Sequence, residues 1–479
     1  QLIASLMGTY GHPVVKTPNL DALAEGGVRF DAAYSPCPLC APARACLATG
    51  KYISNNKVWD NASPLGSDQP TAAHYLSNAG YDTVASGKMH YIGPDQLHGL
   101  RALICIAMSH AGYNMLPTAK RKPGERVIDR RSHARGYRLP RVGVGKWTRY
   151  LNYDEETQFR AIEYLHSKRI DGYDGPIDPF FLIASFHCPH DPFVVTQDLW
   201  DLYEGEEIAI PEYPSDMDET YSAMDRWLIA YHGCDRIDIK QPESLRALRR
   251  AYYGLVSHID RKVGELVATL EEIGLRENTV IFFTSDHGDM LAEKNMVQKR
   301  SFYEFSSRVP LIVNFPDGWA KGTQCQTPVS LIDIMPTMLE IGGVEGWLPV
   351  DGQSLLPCIE GEEKDRVAFS ESHTNGLYEP CFMVREGQFK YIYIRNESPQ
   401  LFDLENDPGE WHNLCGDPAY ASVEERLRAR ILKQFDPDAI EDELQASLLN
   451  RALVKEALVG NDTHWDYAPP FDATKQYCR

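Results

Sequence analysis

Thr279-Val280-Ile281-Phe282-Phe283 runs directly into Thr284-Ser285-Asp286-His287-Gly288-Asp289. Five β-branched or aromatic residues in a row read as a strand covered on both faces, the pattern of a parallel sheet with helices above and below. The polar residues begin where that strand stops. Upstream, 253–275 carries Leu255, Ile259, Val263, Leu266, Leu270 and Ile273 along one helical face. Further strand-like runs are 82–86, ending at Gly87, then Pro179-Phe180-Phe181-Leu182-Ile183-Ala184, and Val309-Pro310-Leu311-Ile312-Val313. Strands alternating with helices predict an α/β fold with a large, mostly parallel central sheet flanked by helices. Ligands of such sheets collect beyond the carboxyl ends of the strands. Each polar cluster of interest falls there or at a helix start.

Thr17-Pro18-Asn19 before Leu20, Leu23 and Ala24 reads as the start of a short helix. Beyond about 365 the texture changes. Phe382-Met383-Val384-Arg385 and Phe389-Lys390-Tyr391-Ile392-Tyr393-Ile394, with Glu386-Gly387 between them, predict a hairpin, and 423–435 an amphipathic helix that covers it. The expected organisation is a catalytic domain over 1–364, a smaller α+β subdomain over 365–440, and a helix and tail over 441–479 that suits oligomer formation. Residues 100–120 match neither a clean strand nor a clean loop.

The 479 residues have a formal net charge of −20, 43% hydrophobic and 24% charged residues. That balance is of an ordinary globular protein. It argues against non-specific binding to nucleic acid or to an anionic membrane. No run approaches the roughly 20 apolar residues of a membrane span. The 11 cysteines show no framework of regular spacings, which reads as reduced thiols of a cytoplasmic protein, with the periplasm as the alternative. Cys37 and Cys40 form one C-x-x-C, but the Pro42 and Arg44 that follow speak against a redox pair.

Cys40-Ala41-Pro42-Ala43-Arg44 is the most specific chemical signal. Pro42 suits the first turn of a helix whose mouth holds Cys40, where free backbone N–H groups and the dipole favour an anion. Arg44 adds a fixed cationic fork. Asp286 and His287, at a strand end, suit a divalent metal. In Gly87-Lys88-Met89-His90, Lys88 and His90 lie two apart, so in extended chain they project to one side. His190 stands in Pro189-His190-Asp191-Pro192-Phe193, and Lys299 precedes Tyr303-Glu304 and Arg308-Val309-Pro310. His187 fits no motif and reads as structural.

Together these stretches resemble the formylglycine-dependent sulfatases of the alkaline phosphatase-like superfamily. Trp59-Asp60-Asn61-Ala62, Ser86-Gly87-Lys88-Met89-His90 and Gly93-Pro94-Asp95-Gln96-Leu97-His98-Gly99 look most like the choline-sulfatase branch. The resemblance implies that Cys40 is converted to formylglycine by a maturation enzyme, and that its hydrate attacks the sulfur of a small sulfated substrate. It implies one divalent ion at Cys40, Asp286 and His287: Ca²⁺ first, Mg²⁺ or Mn²⁺ otherwise. It further implies sulfate contacts from Arg44, Lys88 and Lys299, proton transfer by His90 and His190, and a homo-oligomer.

Two stretches depart from the pattern. Gln1 matches the second residue of the family's Asp-Asp or Asp-Gln pair, so a strand and a further metal-binding carboxylate are expected upstream of it, and a chain without them is expected to hold metal weakly. Tyr113 is the nearest aromatic in the region where choline-sulfatases hold a quaternary ammonium, and Asn375 of Glu371-Ser372-His373-Thr374-Asn375 replaces an acid of that branch. Alternative readings are a phosphonate monoester or phosphodiester hydrolase of the same superfamily, and a non-catalytic relative.

Overall fold

The computed structural model describes residues 1–105, 141–169, 177–234, 241–362 and 365–460. The stretch 106–120, Tyr113 and the tail beyond 460 lie outside them. Two sheet segments carry the site. In one, β1 (Val28–Phe30) lies between β7 (Thr323–Cys325), which is parallel to it, and β6 (Leu311–Asn314), which is antiparallel; β5 (Ile281–Thr284) pairs antiparallel with β6. In the other, β2 (Asp82–Gly87) lies between β3 (Ala102–Leu103) and β4 (Phe180–Ser185), both parallel to it.

The architecture is α/β, with antiparallel pairing where the sequence reading had expected parallel strands. The reason is local. A parallel return needs a crossover element of a dozen or more residues. The 285–310 connection between β5 and β6 is long enough, but it forms only the short turns Glu293–Asn295 and Glu304–Ser307 and no helix that packs across the sheet; the chain comes back antiparallel, and the loop is left to carry functional groups.

β6 is buried at every residue, as its apolar run requires, whereas every residue of β4 and β5 keeps some exposure. Each of these two is the outer strand of its sheet among the described residues. Of the three apolar runs, only the one that forms β6 is buried at every residue.

The helix read over 253–275 is longer, Pro242–Glu272, with proline in its first turn. It packs on the Pro18–Glu25 and Arg149–Ser167 helices. Its buried face includes Leu248, Leu255, Val256, Ile259 and Val263, each contributing roughly 1.5–3 kcal/mol of burial. No described helix is long and apolar enough to cross a membrane.

The C-terminal sheet is an antiparallel meander of β8 (Val367–Ser372), β9 (Cys381–Glu386), β10 (Phe389–Ile394) and β11 (Gln400–Asp403). Glu386 pairs with Phe389, so the turn is Gly387-Gln388, one residue later than the sequence reading, with Gly387 left-handed at φ 54°. The Ala421–Gln434 helix seats Leu427 and Ile431 on this sheet, in a core shared with Leu39, Cys46, Tyr52 and Trp59. The meander thus supports the stretch around Cys40. A second tie is electrostatic: fully buried Lys390 meets Glu304 at 2.6 Å and Glu410 at 2.8 Å, anchoring the β5–β6 loop.

Candidate active site

Cys40 opens the helix Cys40–Thr49, with Pro42 in its first turn and Gly50 closing it at φ 66°. The thiol is 2% exposed. Its Sγ lies 3.1 Å from His287 Nε2. His287 Nδ1 sits 2.7 Å from the Gly288 carbonyl. A carbonyl only accepts, so Nδ1 carries the proton and Nε2 points its lone pair at Cys40 and Asp286. Ligand atoms of Cys40, Asp286 and His287 lie within 4.8 Å of one another. Gly288 is obligatory in this turn, because a Cβ there would come within 1.9 Å of the Phe305 carbonyl oxygen.

Arg44 ties the parts together. Its Nε donates to Asp286 Oδ2 at 2.9 Å, and Nη1 donates to Ser185 Oγ at 2.9 Å and to the Lys88 carbonyl. One side chain therefore links the nucleophile helix, the ends of β2 and β4, and the turn after β5. At the end of β2, Gly87 has φ 96°, and a Cβ there would meet the Ser185 carbonyl oxygen at 2.2 Å. Lys88 is buried. His90 is itself left-handed at φ 60°, so Lys88 and His90 do not project together as neighbours on an extended strand would. That expectation is corrected: the turn begins at Gly87, not beyond His90.

His190 meets Lys299 Nζ through Nε2 at 3.0 Å. An ammonium only donates, so Nε2 accepts and Nδ1 carries the proton, 2.8 Å from the Asp191 carbonyl. Lys299 also donates to Gln1 Oε1 at 2.6 Å. Gln1 lies inside the site: its backbone nitrogen is 2.8 Å from Asp286 Oδ1 and 2.7 Å from Ser285 Oγ, and its side-chain amide donates to Asp289. Lys299 is flanked by two non-glycine residues in left-handed backbone, Gln298 at φ 71° and Arg300 at φ 93°, a costly conformation that the surrounding packing must hold.

Burial pushes the Cys40 thiol up, yet the charges of Lys299 and Lys88 hold it well below the ordinary thiol range. Burial likewise works against ionised Asp286, but His287 and Arg44 help keep it well below the usual carboxylate range. Lys88 is lowered, first by burial and then by Arg44 and Lys299, against the pull of Cys40 and Asp286. The cluster is a cationic, water-poor cavity around one thiol and one carboxylate. It suits a tetrahedral oxyanion.

Five contributors were not singled out as site residues by the sequence. His187, read as structural, stacks its ring on His190 at 4.7 Å and lies 3.8 Å from Tyr150. Asp289, pushed up to about 7 by burial, accepts from Gln1. Asn61 receives the Ala41 N–H at 3.0 Å, and Asp60, two residues after Val58, forms a two-pronged pair with Arg451 at 2.8 Å. Asp154 caps the His190 loop by accepting the His187 and Cys188 N–H groups at 2.6 and 3.0 Å. His187 and Asp154 stand in no motif; Asp60, Asn61 and Asp289 lie in stretches that carry the family resemblance, but only proximity in space shows what they touch.

Asp154 gives a pH prediction. Burial raises it to about 6, above the value near 3.8 of an exposed chain, so the folded state holds its proton more tightly. Its favourable contribution is complete below about pH 4 and is lost as pH rises through 6. The stability difference between wild type and Asp154→Asn is expected to shift by ~3 kcal/mol between pH 4 and 7. Chemical denaturation at the two pH values checks this, and a pH-independent difference contradicts it.

The sulfatase family model matches residues 2–344, most of the chain. The chain belongs to the sulfatase family. A second model, the C-terminal region of N-sulphoglucosamine sulphohydrolase, matches 292–436. This sulfatase is 38% identical over 474 residues to choline-sulfatase of Rhizobium meliloti, covering 96% of this chain and 90% of that one. It is 29% identical to an arylsulfatase of Clostridium perfringens, over 91% and 92% of the two chains. The fold matches phosphonate monoester hydrolase of Agrobacterium radiobacter with a TM-score of 0.71 at 24% identity, over 93% and 94% of the chains. The sulfatase is a sulfuric ester hydrolase of the alkaline phosphatase-like fold.

Proposed function

We propose that this enzyme hydrolyses a sulfate monoester with residue 40 as nucleophile, after oxidation of the Cys40 thiol to formylglycine. The observation that carries the reading is the convergence of Cys40 on His287 at 3.1 Å with Asp286 in the same cluster. The hydrated aldehyde supplies one hydroxyl to displace the alcohol from sulfur and a second whose deprotonation expels sulfate, which a thiol lacks. The donor set, one residue-40 oxygen, one carboxylate and one imidazole with a fixed tautomer, suits a single divalent cation, Ca²⁺ first and Mg²⁺ or Mn²⁺ otherwise. Such an ion would neutralise sulfate charge.

The remaining work falls to the chain. Arg44, held by Asp286 and Ser185, and the buried ammonium groups of Lys88 and Lys299 offer preorganised positive charge where charge gathers on the transferring group. His190 Nε2, which accepts from the Lys299 ammonium, is placed to pass a proton from it to the departing alcohol while Nδ1–H stays on the Asp191 carbonyl, and His90 to take the proton of the second hydroxyl. Because Cys40 is 2% exposed, a maturing enzyme must meet the chain before it folds. The homo-oligomer and the cytoplasmic setting belong to the same proposal.

The test is turnover of 4-nitrophenyl sulfate beside an aryl phosphonate, with the mass of the peptide containing residue 40. A lighter residue than cysteine and a preference for sulfate support the reading; unmodified cysteine in an active preparation sinks it. His190→Ala is expected to lower kcat by ~10²–10⁴-fold for esters of poorly acidic alcohols. The loss should be small for 4-nitrophenyl sulfate, whose leaving group needs no proton. A uniform loss across leaving groups would remove His190 from the acid role.

A further inference from the structure

Arg300 follows Lys299 and is 6% exposed. Its Nη1 lies 2.6 Å from His232 Nε2 and 3.4 Å from Gln298 Oε1, and its guanidinium stands over the Tyr231 ring at 5.1 Å. Nε is buried and has no hydrogen-bond partner. Among the described residues no carboxylate comes within 4 Å of the group, whereas buried Arg366 and Arg451 each face one, Asp333 at 2.7 Å and Asp60 at 2.8 Å. His232 does not supply the missing charge. Burial, with Arg300 and Lys299 beside it, keeps that ring neutral, so it accepts a hydrogen bond and no more. A buried guanidinium gives up its hydration and needs an anion in return.

Its position says where the anion comes from. Lys299 reaches His190 at 3.0 Å, and Arg300, the next residue, stands against Tyr231, on which the loop after β8 also packs. Gly376 of that loop packs so closely on Tyr231 that a Cβ would meet its ring at 2.5 Å. The same loop holds His373, paired with Glu371 at 3.0 Å, beside the Trp59 ring at 6.1 Å.

We propose that Arg300, with Gln298 and the face of Tyr231, forms an oxyanion subsite for the alcohol portion of the ester, so that favoured substrates carry a carboxylate or a second sulfate. This deepens, and rests on, the sulfatase reading. It departs from a quaternary ammonium leaving group, which Arg300 repels.

Calorimetry on the intact enzyme separates the two ideas. 3-Sulfobenzoate and benzene-1,3-disulfonate are expected to bind about tenfold or more tightly than benzenesulfonate, and the carboxylate and sulfonate arms show which anion the subsite prefers. Arg300→Met is expected to erase the difference and Arg300→Lys to restore part of it. Equal affinities for the three probes in the wild type overturn the subsite, whether or not any variant folds. In turnover, the ratio of kcat/KM for 3-carboxyphenyl sulfate over choline sulfate should exceed about ten; a ratio below one also overturns it. Turnover of 4-nitrophenyl sulfate reports on the sulfatase reading alone, so either idea can fail without the other.

Discussion

Cys40→Ala is expected to abolish sulfate ester hydrolysis, lowering kcat/KM for 4-nitrophenyl sulfate by ~10³-fold or more, while leaving the fold intact. The expectation follows from the balance of roles around residue 40. The side chain opens the Cys40–Thr49 helix and touches His287, but the neighbouring structure is held by others: Arg44 bridges to Asp286 and Ser185, and Asn61 receives the Ala41 N–H. Removing one small buried group leaves a cavity and costs stability of about 1–2 kcal/mol, too little to unfold a protein of this size. Activity and melting temperature measured on one preparation separate chemistry from folding. Retained turnover with an intact melting transition would move the nucleophile elsewhere. A lost transition would show that Cys40 has a packing role that the contacts do not reveal.

How much of this site was legible in the sequence depended on whether a residue acts within a local pattern. Cys40, Arg44, Lys88, Asp286 and His287 were read from short motifs, and the structure gathers them because each motif ends a strand or begins a helix. Lys299 was an ordinary lysine until set in its motif; in space it touches His190, more than 100 residues away. The parts that stayed hidden share one physical trait. Asp154, Asn61 and Arg451 act on the site through backbone N–H groups or a second side chain brought in by packing, so no local spacing encodes them. Arg300 was invisible for another reason: a buried cation with no counter-ion among the described residues is a property of its surroundings, not of its neighbours in sequence. In the fold, the helix and strand types were legible, but the antiparallel return between β5 and β6 was not. Apolar patterning fixes what is buried, and strand direction depends on what the connection forms.

Asp286→Asn separates metal retention from scaffold strength, and its expected result is a kcat lower by ~10²–10⁴-fold together with loss of bound divalent metal. The carboxylate carries two loads. It is the anionic donor of the cluster with Cys40 and His287, and it receives Arg44 Nε at 2.9 Å. Asparagine keeps the shape and one accepting oxygen, so Arg44 retains a weaker partner, while the negative charge that a cation requires is gone. His287→Ala removes a donor without touching Arg44. If the carboxylate acts through the ion, both variants lose metal by elemental analysis, and high Ca²⁺ restores part of their turnover. If Asp286 serves only to hold Arg44, Asp286→Asn keeps its full metal complement and loses turnover that no added ion recovers. That second outcome would place the cation elsewhere and leave the cluster of Cys40, Asp286 and His287 as a hydrogen-bonded support for Arg44.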